Sequence, residues 1–333
     1  MKSPITGKEM QIIKEKRKSV FRKEEFDIVF HAYKCEDTGE LFEDESFAEL
    51  NYNQVLNKYR EKHSIPFPEQ IKSIREKYDV SQNKMSEILG FGVNTYRQYE
   101  NGEMPSISNA RLINMIEDPH EFKKAVNLNK YLKSAYKEKL IKRIDKILLQ
   151  TKSNKAERYV LNYLTGDCQP ESFTGYKQPD LEKLANMIIY FSNKMPAWKT
   201  KLNKLLFYAD FGMFKKTGKS ISGFRYAAID MGPVPNNFRS LYEYLQNKNL
   251  LEIEYVAFKN GGTGEKIKKS EYEFNPDKFT DAEMNILEGL AQKFEQTSSR
   301  QIIDLSHQEK GWKENRASKS IIDYEYGFDL VGV

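Results

Sequence analysis

The stretch from Val80 to Gly102 constrains this chain more than any other. Ser81 can accept an orphan amide at a helix start, and Met85, Ile88 and Leu89 follow it at helical spacing. Gly90, Phe91 and Gly92 then supply a sharp turn, because glycine reaches positive φ without a Cβ penalty. A second helix is expected from Val93 to Asn101, stopped by Gly102. The pattern is a helix-turn-helix. In it Val93 and Tyr96 would point inward together with Tyr99 or Glu100, leaving Asn94, Thr95, Arg97 and Gln98 outside, with Gln82 near the start of the first helix. Those side chains suit base edges: Asn and Gln pair with adenine, Arg with guanine, and a threonine methyl can touch thymine. A helical hairpin with a solvated polar face is the alternative.

The Ser-Gln at 81–82, the Gly-x-Gly-Val-Asn turn at 90–94 and the Tyr-Glu-x-Gly close at 99–102 resemble the repressor-type helix-turn-helix of MqsA-family antitoxins. The resemblance implies that the second helix reads operator DNA through Asn94. A second family position, an arginine, is Gln98 here. Domains of this kind bind as dimers on half-sites one turn apart, which makes a homodimer through the N-terminal half an expectation.

The N-terminal forty residues fit the same resemblance. Ser3-Pro-Ile-Thr6-Gly7 and Cys35-Glu-Asp-Thr38-Gly39 repeat the glycine of two zinc-ribbon knuckles, but of the four ligand positions only Cys35 carries a thiol. Structural zinc takes four soft or borderline ligands in a tetrahedron, so no metal and no cofactor are expected. Gln11 to Val20 and Phe26 to Tyr33 should pair as a small antiparallel sheet. An ordinary hairpin without a metal-binding ancestor is the other reading.

Further on, Ser46 to Lys62, Glu69 to Tyr78 and Ser106 to Ile116 read as helices that complete a five-helix domain. A long basic helix is expected from Glu121 to about Gln150, packing one face that includes Leu128, Leu132 and Leu140. Between Glu121 and Arg158 there are twelve Lys/Arg against four Asp/Glu. That stripe could neutralise phosphates, meet an acidic partner, or simply face water. The turn-rich stretch from Thr165 to Gly175 marks a boundary.

Beyond it, helices are expected at Asp180 onward, Thr200 to Lys216, Asn236 to Gln246, Thr280 onward behind a capping box, and Ser299 to Trp312. Ile221 to Ile229 reads as extended, and Gly232-Pro-Val-Pro235 as a turn. Leu251 to Phe258 and Lys268 to Phe274 flank a hairpin signal at Asn260-Gly261-Gly262. Four ordered motifs resemble the Panacea domain of SocA-like proteins: Lys201-Leu-Asn-Lys-Leu-Leu-Phe-Tyr-Ala-Asp-Phe211, the run from Gly218 to Ala227, Gly232 to Pro235, and Leu305-Ser-His with Trp312. The resemblance implies direct binding of a co-encoded toxin. Lys204, Tyr208, Asp210, Tyr226, Asp230 and Pro233 are the candidate toxin contacts, or else structural residues.

The expected architecture is therefore mainly α with small β elements. A degenerate ribbon occupies 1–45, the helix-turn-helix domain 46–120, a basic helix and linker 121–178 and a Panacea domain 179–333. No run approaches the roughly 18 apolar residues of a membrane span, and the N-terminus lacks a signal-peptide core. Two cysteines, Cys35 and Cys168, point to free thiols. A cytoplasmic protein with no membrane partner is expected. The four histidines are scattered and no phosphate loop follows a strand, so catalysis is not expected. The leading function is an antitoxin that binds its toxin and its own operator. A regulator with a ligand-sensing or oligomerising C-terminal domain, and an adaptor delivering a toxin to a protease, are the alternatives.

Overall fold

The computed structural model describes residues 1–153, 155–166, 169–258, 261–268 and 272–333. It is mainly helical with small antiparallel sheets, the class anticipated above. Cys168, Asn260 and the centre of the expected Lys268–Phe274 strand lie outside the described residues. Contacts divide the chain into two compact units, one made of Met1–Lys58 with Asn162–Val333, the other of Tyr59–Leu161.

The first unit opens with β1 (Gln11–Phe21) and β2 (Glu24–Lys34), an antiparallel hairpin in the expected place. It turns on Arg22 and Lys23, both left-handed at φ 47° and 70°, the geometry that matches strand twist. β3 (Leu41–Phe42) pairs only with the end of β2, at Tyr33 and Lys34. The rest of that edge is served by side chains of α1 (Glu45–His63). Asn51 accepts from His31 N and donates to His31 O, and Gln54 does the same for Val29 N and O, all at 2.8–2.9 Å. Unpaired edge amides and carbonyls would otherwise be costly to bury.

The second unit holds α2 (Pro68–Lys77), α3 (Gln82–Leu89), α4 (Thr95–Glu100), α5 (Ile107–Met115), α6 (Pro119–Leu128) and α7 (Ser134–Ser153). Ile71, Ile74, Tyr78, Met85, Ile88, Tyr96, Ile113, Phe122 and Ile144 form one buried cluster. The single basic helix expected from Glu121 is two. Asn129 breaks it by taking the amides of Tyr131 and Leu132 on its side-chain oxygen, an Asx turn that competes with helix continuation. Leu128, expected to pack, is 79% exposed in consequence. α8 (Lys155–Thr165) follows.

The first unit resumes with α9 (Leu181–Lys194), β4 (Ala197–Trp198), α10 (Lys199–Thr217), β5 (Tyr226–Ile229), β6 (Gly232–Pro235) and α11 (Phe238–Asn247). β7 (Ile253–Ala257), β8 (Thr263–Ile267), α12 (Asp281–Phe294), α13 (Ser299–Ser306) and α14 (Lys310–Asn315) complete it. α10 is the axis of this unit. Every residue from Leu202 to Phe214 is buried, so the helix is enclosed on all sides rather than along one stripe.

Three local expectations change here. Gly232–Pro235 is not the turn but a strand paired with β5; the chain reverses at Asp230 and Met231. Its prolines are tolerated because β5 draws on a different neighbour, with Ala228 N donating to Ser320 O and Ile322 N to Tyr226 O. The second hairpin strand is Thr263–Ile267, immediately after the glycines. The last helix is split at His307–Glu309, where Glu309 turns inward to accept from Val331 N and Gly332 N.

α1 is bonded to the end of α10 within this unit. Asn57 donates to Gly218 O at 2.8 Å and Asn53 to Thr217 O at 3.3 Å. Gly218 closes α10 at φ 74°, and its carbonyl would otherwise be unpaired beside Leu50.

Candidate functional site

The helix-turn-helix is rigidly braced from behind. Ser81 caps α3 by accepting from Lys84 N, and Gly90 ends it in the left-handed region at φ 72°. Tyr96 N donates to Ser86 Oγ at 3.1 Å, which locks α4 to α3 at its first turn. The Tyr96 hydroxyl donates to Ile71 O, and Asn109 donates to the Tyr99 hydroxyl, both at 2.8 Å. Glu100, nearly buried, accepts a two-pronged bond from Arg75 at 2.5 and 3.1 Å. This bidentate geometry fixes both partners and holds the guanidinium of Arg75 above its ordinary pKa.

Gln82 donates to the same Glu100 carboxylate, so it positions α4 from inside the motif and is only partly exposed. Asn94, Arg97 and Gln98 are exposed, with no side-chain hydrogen bond among the described residues, and Thr95 is half-buried. Asn94 stands at the N-cap of α4 without capping it, which leaves its amide free. The structure thus brings three of the five candidate DNA contacts together on one open face. Val93, expected inside, is 72% exposed. α4 begins two residues later than its spacing suggested, and Phe91 takes the inward place instead, packing edge-on to Tyr99 at 6.1 Å.

At the N-terminus both knuckle turns are formed. Gly7 N donates to Ser3 O and Gly39 N to Cys35 O, at 2.9 and 2.8 Å, with both glycines left-handed. The side chains converge as ligands would, but through hydrogen bonds. Ser3 Oγ donates to Cys35 Sγ at 3.3 Å and Thr6 Oγ1 lies 3.7 Å from it. The hydroxyl of Ser3, then that of Thr38, pulls the buried Cys35 thiol down to a pKa of about 6. One thiol among hydroxyls does not make the donor set of structural zinc.

In the C-terminal part the candidate contacts are mostly interior. Lys204, Tyr208, Asp210, Tyr226 and Pro233 are buried, and Asp230 alone is exposed, paired with Lys319 at 3.1 Å. Asp210 organises a loop: its carboxylate accepts from Ile221 N, Ser222 N, Ser222 Oγ and the Tyr226 hydroxyl, all between 2.5 and 2.8 Å. Burial pushes this carboxyl up from its ordinary range, while the bonds from Ser222 and Tyr226 pull it back. Lys204 donates to Pro233 O at 2.9 Å, tying α10 to β6, and burial lowers its pKa to about 7. Tyr208 stacks on Phe294 and lies against Gly332. His307 stacks flat on Trp312 at 3.9 Å, whose indole donates to Ile229 O. Missed by sequence reasoning are the exposed Met231, at the reversal next to Asp230, and Tyr255 on β7.

Among the described residues no three His, Cys, Asp or Glu side chains are grouped to hold a metal ion, and no helix is long and apolar enough to cross a membrane. Residues 1–127 match the family described as the antitoxin component of bacterial toxin-antitoxin systems, MqsA. Residues 202–313 match the Antitoxin SocA-like, Panacea domain family. No curated protein matches the chain.

Proposed function

From a chain that joins an MqsA-like segment to a SocA-like Panacea domain, we propose a bipartite antitoxin without catalytic activity. The carrying observation is that two separate stretches each match an antitoxin family. The α4 face, with Asn94, Arg97 and Gln98 free on a braced helix, binds operator DNA as a dimer and represses the chain's own promoter. The Panacea-containing unit binds a co-encoded toxin and covers its working surface, an action that needs no cofactor. Within that unit the toxin meets residues outside the core, beginning with the Asp230–Met231 reversal. Lys204, Tyr208, Asp210, Tyr226 and Pro233 shape that surface from beneath.

The test is co-expression with the neighbouring reading frames. One neighbour should arrest growth alone and be neutralised by this chain. Asn94→Ala combined with Arg97→Ala should abolish promoter binding at moderate salt, each lost base contact contributing roughly 1–3 kcal/mol, while protection persists. Loss of protection in that double variant contradicts the separation of roles. A toxin that accumulates only in protease-deficient cells points instead to an adaptor.

A further inference from the structure

We infer that Val93 is a sequence-reading residue that contacts the 5-methyl group of a thymine in the operator. The inference rests on the DNA-binding reading of α4 given above. Four facts place it there. Of the motif's other apolar side chains, Met85, Ile88, Tyr96 and Tyr99 are 0–6% exposed and Leu89 and Phe91 are partly buried against them, whereas Val93 is 72% exposed. Its inward place is filled by Phe91. On its N-terminal side stands Gly92, where a Cβ would lie 2.9 Å from Thr95 Oγ1, so no side chain screens the isopropyl group. On its C-terminal side stands Asn94, whose amide is free.

The start of a recognition helix is the part that reaches base edges. In the major groove thymine alone among the four DNA bases presents a methyl group, and apolar side chains are what recognise it. Val93 is the apolar member of an otherwise polar exposed set formed with Asn94, Arg97 and Gln98. The combination reads a mixed site: adenine or guanine through the polar three, thymine through the valine. The half-buried Thr95, whose methyl could serve the same purpose, is less available.

The experiment uses the full-length chain and a duplex from upstream of its own gene, prepared with thymine and with deoxyuridine at every thymine position, then at each position singly. Uracil keeps the pairing edge and lacks only the methyl. Wild type should bind the fully substituted duplex more weakly by roughly fourfold for each lost methyl contact, with the loss concentrated at one thymine per half-site. Val93→Ala should bind the thymine duplex less tightly than wild type and show no preference between the two duplexes. Val93 is exposed, so circular dichroism of the variant should be unchanged. A wild type indifferent to the methyl groups, or an alanine variant that keeps the full preference, overturns the assignment while leaving DNA binding intact. Failure of wild type to bind either duplex at low salt removes the DNA-binding reading and this inference with it.

Discussion

Asp210 separates two accounts of the same residue: a contact for a toxin, or the organiser of a buried loop. Its Oδ1 accepts two backbone amides, Ile221 N and Ser222 N, and its Oδ2 accepts two hydroxyls, Ser222 Oγ and Tyr226 OH. The two halves respond differently to substitution. In Asp210→Asn the remaining oxygen can keep both amides, which cannot rotate, while the new NH2 faces hydroxyls that can turn to accept. Charge assistance is lost, and the Ser222 and Tyr226 hydroxyl protons lose this acceptor, about 1–3 kcal/mol. Asp210→Ala orphans both amides and both hydroxyls and opens a void beside Phe211; with each unsatisfied buried group at about 1–3 kcal/mol, the loss is at least about 4 kcal/mol. For a unit of this size 1 kcal/mol shifts Tm by about 2–4 °C. The asparagine variant should therefore melt about 2–12 °C below wild type, and the alanine variant at least about 8 °C below it and further than the asparagine variant, or fail to accumulate. Thermal unfolding followed by circular dichroism reads both, alongside protection from the toxin at a temperature where the asparagine variant is folded. There it should protect as wild type does. An alanine variant with unchanged Tm that no longer protects would refute the buried geometry and restore Asp210 as a contact.

Four further outcomes follow from particular contacts. Asn57→Ala leaves the Gly218 carbonyl at the end of α10 unpaired, so the full-length chain should lose about 1–3 kcal/mol, measured by chemical denaturation; no loss would mean that α1 does not bond to α10. The same contact predicts that residues 180–333 expressed alone protect poorly, because they lack α1. Lys204 has a folded pKa near 7 against an ordinary value of 10.5. The unfolded chain therefore binds more protons between those limits, and stability should rise with pH across that window, by up to about 1.4 kcal/mol per pH unit. Lys204→Met removes this dependence, so the stability difference should move in favour of wild type from pH 7 to pH 9.5; a constant difference contradicts a neutral buried amine. Metal analysis of the purified protein should find no stoichiometric zinc, and finding it would overturn the hydrogen-bonded reading of Ser3, Thr6 and Cys35.

The helix-turn-helix was legible because its signals are local: a serine cap, a left-handed glycine and apolar residues at helical spacing all lie within one short stretch. The error at Val93 was local too. Helical spacing was carried back to the glycine, although the two residues before Thr95 belong to the turn, and Phe91 then competed for the same hole. The first helix shows the opposite limit. Asn51, Gln54 and Asn57 recur every three residues and look like a solvated stripe, yet they are 3–5% exposed. Their partners are backbone groups of β2 and Gly218, the latter 161 residues away, and no periodicity within α1 can announce them.

The same blindness governs the candidate toxin contacts, and it has a physical cause. Helical spacing in α10 registers Leu202, Leu205, Leu206, Ala209 and Met213, while the Panacea resemblance left Lys204 and Asp210 either as toxin contacts or as structural residues. The helix has no outer side, because Phe207, Phe211 and Phe214 bury the rest of its circumference. A charged residue on such a helix must find partners or be expelled. The sequence did contain the partners: a loop with two serines and a glycine lies just beyond Gly218, short enough to fold back and offer its amides to Asp210. A charged residue inside an all-round apolar helix, followed closely by a Ser/Gly loop, is thus better read as the anchor of that loop than as a surface contact. The place to seek the partner's contact is then the surface that the anchored loop and its neighbouring hairpin present, at Asp230 and Met231.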